Sequence, residues 1–198
     1  MLKEFLIEAK KSTYANESDF KPFIYRKAKD NDIEAIANLV TNLLGTCNLN
    51  KNKSILDNNI EEITKTINNY YICEIDNKII GACGLSDVMK FDNYNLGLSN
   101  IREILYLVVD KNYQGNGIGT NLLKKSIENI NEEIIYEAWG DNGKYVNSKY
   151  VLERCGFNLI KDLGNDYYKN NNYCPLCINK DKNCNSCLAQ VWVKENKQ

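Results

Sequence analysis

The sequence predicts an α/β (α+β) fold, and two observations carry that prediction. The first is the stretch from Glu103 to Ile130, which reads as an apolar strand, the turn Gln114-Gly115-Asn116-Gly117-Ile118-Gly119, and an amphipathic helix. Glu103-Ile104-Leu105-Tyr106-Leu107-Val108-Val109 is β-branched and aliphatic without a breaker, which suits a strand buried on both faces. Ile118, Leu122, Leu123, Ile127 and Ile130 then recur at helical spacing. The second observation is that further strand and helix patterns flank this unit in a chain of 198 residues, 43% hydrophobic and 26% charged, enough for one sizeable core. The glycines of the turn let backbone N–H groups approach an oxygen-rich ligand closely. The helix N-terminus behind them favours negative charge, so a phosphate or pyrophosphate is the expected guest.

The spacing narrows the choice of phosphate ligand. A nucleoside-triphosphate loop requires a lysine before its Ser or Thr, and Thr120 follows Gly119 directly. A dinucleotide fingerprint requires G-x-G-x-x-G early in a βαβ unit, whereas this loop is Gly115-x-Gly117-x-Gly119 beyond position 100. Gln114, Gly117 and Gly119 match Q/R-x-x-G-x-G/A in full. This resembles the acyl-CoA-binding motif of the GNAT superfamily of N-acetyltransferases.

The remaining elements can be read in the order of that family. Phe23 to Ala28 is a short strand, and Asp30 or Asp32 can cap a helix whose Ile33, Ile36, Leu39, Val40, Leu43 and Leu44 line one face. Ile60, Ile63 and Ile67 mark a second helix. Tyr70 to Ile75 and Ile79 to Leu85 are strands joined through the hairpin signal Asp76-Asn77-Lys78, and Glu103 to Asp110 completes an antiparallel trio. Ile134 to Trp139 gives a fifth strand. After the Asp141-Asn142-Gly143 break, Ser148 to Phe157 reads as a short helix stopped by Gly156 in a left-handed cap, similar to the S-x-x-v-L-e-k-x-G-F segment of many GNAT enzymes. Asn158 to Leu163 and Ala189 to Val193 would form the last hairpin. The resemblance implies a mixed, mostly antiparallel sheet splayed between strands 4 and 5, with helices on both faces. It places the domain at residues 23–198, after a helical extension at residues 1–22 that can dock on the domain or on a second subunit in a homodimer.

Composition excludes several functions. A net charge of −1 supplies no global basic field, so nucleic acid is not the expected partner. No apolar run reaches the roughly 18–20 residues of a membrane span, and acids interrupt the N-terminal apolar stretch, so no membrane contact and a cytoplasmic location are expected. The chain has no histidine, which removes Ser-His, Cys-His and histidine-base mechanisms. Carboxylates, tyrosines, water and backbone must do the chemistry.

The resemblance then assigns roles. Leu107, Val108 and Val109 would bind the cofactor arm, with the Leu107 N–H polarising the thioester carbonyl and Val109 pairing with pantetheine. Gln114, Gly115, Asn116, Gly117, Ile118, Gly119 and Thr120 would hold the pyrophosphate of acetyl-CoA. Glu103 resembles the glutamate of the histone-acetyltransferase branch that deprotonates the amine through water, although a glutamate opening a strand in solvent is the other reading. Many GNAT enzymes place a tyrosine four residues before the Gly-Phe pair as general acid, where this chain has Leu152. Of Tyr145, Tyr150 and Tyr106, Tyr150 sits about 200° around the helix from Leu152, so Tyr145 is the candidate, unless no dedicated acid exists. Asn147 can replace the family's asparagine near the start of this helix as a cap or cofactor contact. Thr46 to Asn59 and Phe91 to Asn100 are polar connections expected to set acceptor specificity.

A second motif lies in residues 170–188. Cys174-Pro175-Leu176-Cys177 and Cys184-Asn185-Ser186-Cys187 can bring four thiolates to one tetrahedral centre. Structural zinc is the expected metal, with iron, disulfides or unpaired thiols as alternatives. Cys47, Cys73, Cys83 and Cys155 read as small apolar fillers. Together these readings give an N-acetyltransferase moving the acetyl group of acetyl-CoA to a primary amine, with a small-molecule acceptor favoured. The alternative is a non-catalytic CoA-binding module that engages a protein partner through its zinc knuckle.

Overall fold

The computed structural model describes residues 22–44, 53–140, 144, 146–165, 167 and 187–195. β1 (Ile24–Lys27) leads through a 3-10 turn at Asp30–Asp32 into α1 (Ile33–Leu43), and α2 (Ile55–Thr66) leads into β2 (Tyr70–Ile75) and β3 (Lys78–Leu85). Next come β4 (Ile101–Val109), α3 (Ile118–Ile127), β5 (Glu133–Gly140), α4 (Lys149–Arg154), β6 (Asn158–Gly164) and β7 (Leu188–Lys194). Among the described residues no helix is long and apolar enough to cross a membrane. The strands form one seven-stranded sheet in the order β1-β2-β3-β4-β5-β7-β6, antiparallel except between β4 and β5. At the β2–β3 turn Asp76 and Asn77 both have positive φ (52° and 60°), the left-handed pair that a tight hairpin needs.

The sheet is interrupted where β4 meets β5. These strands pair in parallel only at Ile101–Glu133, Arg102–Ile134 and Glu103–Ile135. Beyond Glu103 they separate, β4 remaining on β3 and β5 remaining on β7 as far as Gly140–Leu188. At the same point the β3–β4 register slips. Gly84 faces Tyr106 and Leu85 faces Ile104, so Leu105 is the extra residue of a bulge that bends β4 away. The expected splay is therefore present.

The helices cover opposite faces of the sheet. Ile36, Ala37 and Val40 of α1 and Ile63 of α2 pack with Ile72, Ala82, Tyr106 and Val108. Ile118, Leu122 and Leu123 of α3 and Leu152 of α4 pack on the other face with Ile80, Cys83, Ile104, Ile134 and Trp192. Each fully buried aliphatic side chain in these layers contributes about 1.5–3 kcal/mol. A third cluster covers β5 and β7, where Met89, Tyr94, Leu96 and Leu98 from the β3–β4 connection pack on Ile101, Ile135, Val191 and Val193.

Three expectations need correction. The β4 strand is not buried on both faces: Ile101, Ile104, Tyr106 and Val108 are buried, but Glu103, Leu105, Leu107 and Val109 are half-buried because they border the gap left by β5. The Asp32 carboxylate does not cap α1. It turns back to the Lys29 N–H (2.8 Å) and to the Arg26 guanidinium (2.7 and 2.9 Å), which also holds Glu74. The polar stretch expected over Thr46 to Asn59 is helical from Ile55 onward, because Ser54 caps the Asp57 N–H at 3.0 Å. Asn59 is buried there, donating to Thr41 Oγ1 at 2.9 Å and accepting from the Tyr106 hydroxyl at 3.2 Å.

Candidate active site

Backbone alternation decides what β4 presents to the gap. The Asp110 N–H bonds the Ile80 carbonyl at 2.8 Å, and Val108 and Tyr106 lie opposite Ala82 and Gly84. Residues 106, 108 and 110 therefore turn their polar groups to β3, and Leu107 and Val109 turn theirs to the open side. The Val109 carbonyl accepts from Gln114 Nε2 at 2.9 Å, which bears this out. Gln114 thus braces the turn against the strand, leaving the backbone donors of the turn to face a ligand. Val108 acts as the spacer between the two outward residues.

The turn itself is built as the sequence reading requires. Gly115 and Gly117 have φ of 83° and 75°, conformations that a side chain would strain. Gly117 is the N-cap of α3, so the first-turn N–H groups of Ile118, Gly119 and Thr120 point out of the helix end. The Asn116 amide folds back on the Tyr113 and Gln114 carbonyls (3.1 and 3.4 Å). Gly119 has φ < 0, and a Cβ there would sit 3.6 Å from Val151 and 3.7 Å from Val109. Its bareness keeps the cleft floor open between β4 and α4.

These elements line a cleft of about 1380 Å³ that follows the gap between β4 and β5. At one end stand Leu107, Val109, Lys111, Gln114, Gly115, Gly117 to Thr120, Asn147, Ser148, Val151 and Arg154. The residues fit an acyl-CoA there. The turn supplies backbone donors, Lys111 and Arg154 supply positive charge, and Ser148 Oγ is buried with no hydrogen-bond partner among the described residues.

At the other end the cleft is lined by Glu62, Tyr94, Glu103, Glu137, Trp139 and Tyr167. Glu103 is held by its backbone: its N–H bonds Ser86 Oγ at 2.9 Å, and its carbonyl accepts from the Ser86 N–H at 2.8 Å. Tyr94 donates to Glu137 Oε2 at 2.8 Å, and its hydroxyl lies 3.5 Å from Glu103 Oε1. Burial pushes the Glu103 carboxyl up to about 7, and the like charge of Glu137 adds to this, while the Tyr94 hydroxyl opposes it. Burial first, and then the two carboxylates, also raise the Tyr94 hydroxyl, so it remains a donor. Tyr167 is raised by burial and by Glu137 as well. Asp92 positions Tyr94, its carboxylate accepting the N–H groups of Tyr94, Leu96 and Leu98 at 2.8, 2.8 and 3.0 Å.

A sequence model of the acetyltransferase (GNAT) family matches residues 38–157. The chain belongs to the acetyltransferase (GNAT) family. Solved structures share its fold. PH1933 from Pyrococcus horikoshii OT3 is 18% identical, with a TM-score of 0.58 over 89% of this chain and 100% of that one. Ard1 from Thermoplasma volcanium is 14% identical, with a TM-score of 0.60 over 89% and 99%. Rv2747 from Mycobacterium tuberculosis, solved with CoA and NLQ, is 15% identical, with a TM-score of 0.53 over 87% and 99%. No curated protein sequence matches the chain.

Within this GNAT acetyltransferase the expected site residues are distributed unevenly. Glu103 lines the cleft together with Leu107, Val109, the glycine turn and Asn147. Tyr145 and the cysteines Cys174, Cys177 and Cys184 lie outside the described residues, as do Cys47 and residues 1–21. Cys187 is buried immediately before β7. Among the described residues no group of three or more acidic or cysteine side chains is placed to hold a metal. Cys73, Cys83 and Cys155 are buried, and burial lifts the Cys83 thiol to about 12. Leu152 and Phe157 belong to the core, and Tyr106 is buried on the face of α1 and α2, away from the cleft. Tyr150, read as facing elsewhere, lines the cleft and is 63% exposed. Being nearly opposite buried Leu152 on a surface helix is what puts it there. Tyr94, Glu137 and Tyr167 were not singled out by sequence reasoning. The one available signal was Glu137, a carboxylate inside the apolar run Ile134 to Trp139.

Proposed function

We propose that this acetyltransferase moves the acetyl group of acetyl-CoA to a primary amine of a small molecule by direct attack in a ternary complex, with Glu103 as general base. The observation that carries this reading is the parting of β4 from β5 at Glu103. It joins the cofactor turn and a desolvated carboxyl in one cleft. Acetyl-CoA supplies the thioester. The turn and the N-terminus of α3 hold its phosphates, and the outward N–H of Leu107 polarises the acyl carbonyl. Glu103 takes the amine proton directly or through a water. A carboxyl lifted to about 7 is matched to that task near neutral pH. Tyr145 and Tyr150 compete as proton donors to the departing thiolate; Tyr145→Phe and Tyr150→Phe variants distinguish them by which one loses turnover without losing CoA affinity.

Structural zinc on Cys174, Cys177, Cys184 and Cys187 is part of this proposal. What supports it is the spacing of the pairs and the place of Cys187, packed near Trp139 and Tyr167 at the entrance to β7. One zinc per chain by elemental analysis, lost in Cys177→Ser, is the expected result. For the activity the test is calorimetric titration with acetyl-CoA followed by thiol release across an amine panel. One-site binding with amine-dependent release is expected, and absence of CoA binding overturns the reading.

A further inference from the structure

Charge is segregated along the cleft. Lys111 and Arg154 stand at the end formed by the glycine turn, whereas Glu62, Glu103 and Glu137 line the other, with no Lys or Arg among the described residues lining that end. The three carboxylates come from α2, β4 and β5, so the fold and not a local run brings them together. Aromatic side chains line the same end: Tyr94 from the β3–β4 connection, whose hydroxyl reaches both Glu103 and Glu137, Trp139 from β5, and Tyr167. Carboxylates interspersed with aromatic rings are the chemistry that binds organic cations, through ion pairing and cation–π attraction. They are also a barrier to a ligand carrying its own carboxylate.

The mechanism uses only one of the carboxyls. Glu103 must be free to take a proton, whereas Glu137 and Glu62 exchange none in the transfer. Glu137 is instead oriented by the Tyr94 hydroxyl, which donates to it at 2.8 Å. A fixed anion beside the base raises the base and also offers a counter-charge to a second cation on the acceptor.

We infer that the acceptor is an aliphatic diamine or polyamine, bound with one amine at Glu103 and a second, protonated amine between Glu137 and Glu62. This inference rests on the acetyl-transfer reading above. The attacking nitrogen, neutral after its proton passes to Glu103, forms the N–C bond to the acetyl carbon. The thioester C–S bond breaks, and the second proton that the nitrogen sheds as the amide forms passes to the departing thiolate, giving free CoA. The second ammonium is unchanged throughout and acts only in binding.

The test compares acceptors matched in length, using thiol release from acetyl-CoA at pH 9, where Glu103 is ionised with or without its neighbour's charge. The panel is butylamine, 1,4-diaminobutane, spermidine, and 5-aminopentanoate. The expected result is a kcat/KM for the two polyamines about tenfold or more above butylamine, the size of one good ion pair, and least activity with the amino acid. Glu137→Gln and Glu62→Gln should each reduce the ratio of kcat/KM for 1,4-diaminobutane over that for butylamine severalfold, through KM. Equal rates for butylamine and diaminobutane, or a preference for 5-aminopentanoate, overturn the inference and leave the acetyl-transfer reading standing. Acetyl-CoA binding without thiol release from any amine overturns both.

Discussion

The two ends of the cleft are built on different principles. At the cofactor end the ligand-facing groups are mostly main chain: the turn between Gln114 and Thr120, the first N–H groups of α3, and the outward edge of β4. At the acceptor end they are side chains from five separate segments, held by one another at Glu103, Glu137 and Tyr94. A main-chain cradle is fixed by local conformation and answers to any phosphate of the right shape. A side-chain cluster can be altered one group at a time without disturbing the sheet. The difference lets the acceptor end change its chemistry while the cofactor end keeps its own within one cleft.

The largest expected effect separates the ends by chemistry. Glu103→Gln should lower kcat roughly 10²–10³-fold with CoA affinity unchanged by calorimetry. The same variant tests the electrostatics. An unfolded glutamate ionises near 4.5, but the folded Glu103 keeps its proton to about 7, so native stability falls as pH rises through that window. Gln removes this loss, and its Tm should exceed that of the wild type at pH 8 and not at pH 4. A mutant that loses CoA binding as well as turnover would break the division between the two ends.

Gly119→Val tests the opposite end. A side chain projecting into the floor should weaken CoA binding roughly 10- to 100-fold in Kd, with little change in Tm because a Cβ there meets only ordinary contacts at 3.6 and 3.7 Å. Unchanged CoA affinity would remove the glycine turn from the cofactor site. A smaller effect is expected of Glu137→Gln with a monoamine acceptor. Losing the neighbouring negative charge lowers the Glu103 carboxyl, so the acid limb of the kcat/KM profile should move to lower pH. A limb that stays or moves up would show that the two carboxylates do not sense each other.

The smallest change sharpens the comparison further. Asp92→Asn keeps the shape of the loop residue but loses an acceptor for the Leu98 N–H. Losing it loosens the hold on Tyr94, so kcat/KM should fall roughly 2- to 5-fold with CoA binding intact. Tyr94→Phe should reproduce that loss, and the double variant should add nothing to it.

The same contrast governs what the sequence discloses. The cofactor end is contiguous: strand, turn and helix fall within Ile101 to Ile127, so residue type and spacing report it directly. The Asp76-Asn77 hairpin and the Gly156 stop (φ 82°) are legible for the same reason. Glu103 was readable only because it opens that unit. Tyr94 sits in a connection without periodicity, held there by Asp92, and Glu137 lies in a strand whose apolar pattern conceals which face looks into the gap. Their meeting depends on the register of β4 against β5, a contact between distant segments that no local pattern encodes. Tyr150 does lie nearly opposite Leu152, as its spacing says, but no local pattern shows that this outer side of α4 borders the cleft.

The place of β7 between β5 and β6 has a kinetic consequence. β6 precedes β7 in the chain but finds its sheet partner only in β7. Neither can join stepwise from the N-terminal side: β6 must wait while the chain closes a loop of more than 20 residues, from Gly164 to Leu188. Long-range closure of this kind is slow relative to hairpin formation. Strands β2 and β3 close a tight hairpin that β4 joins next in the chain, whereas β5 begins with three residue pairs to β4 and little else. Refolding should therefore be biphasic, with Trp139 and Trp192, both in the late-forming half, reporting the slow phase.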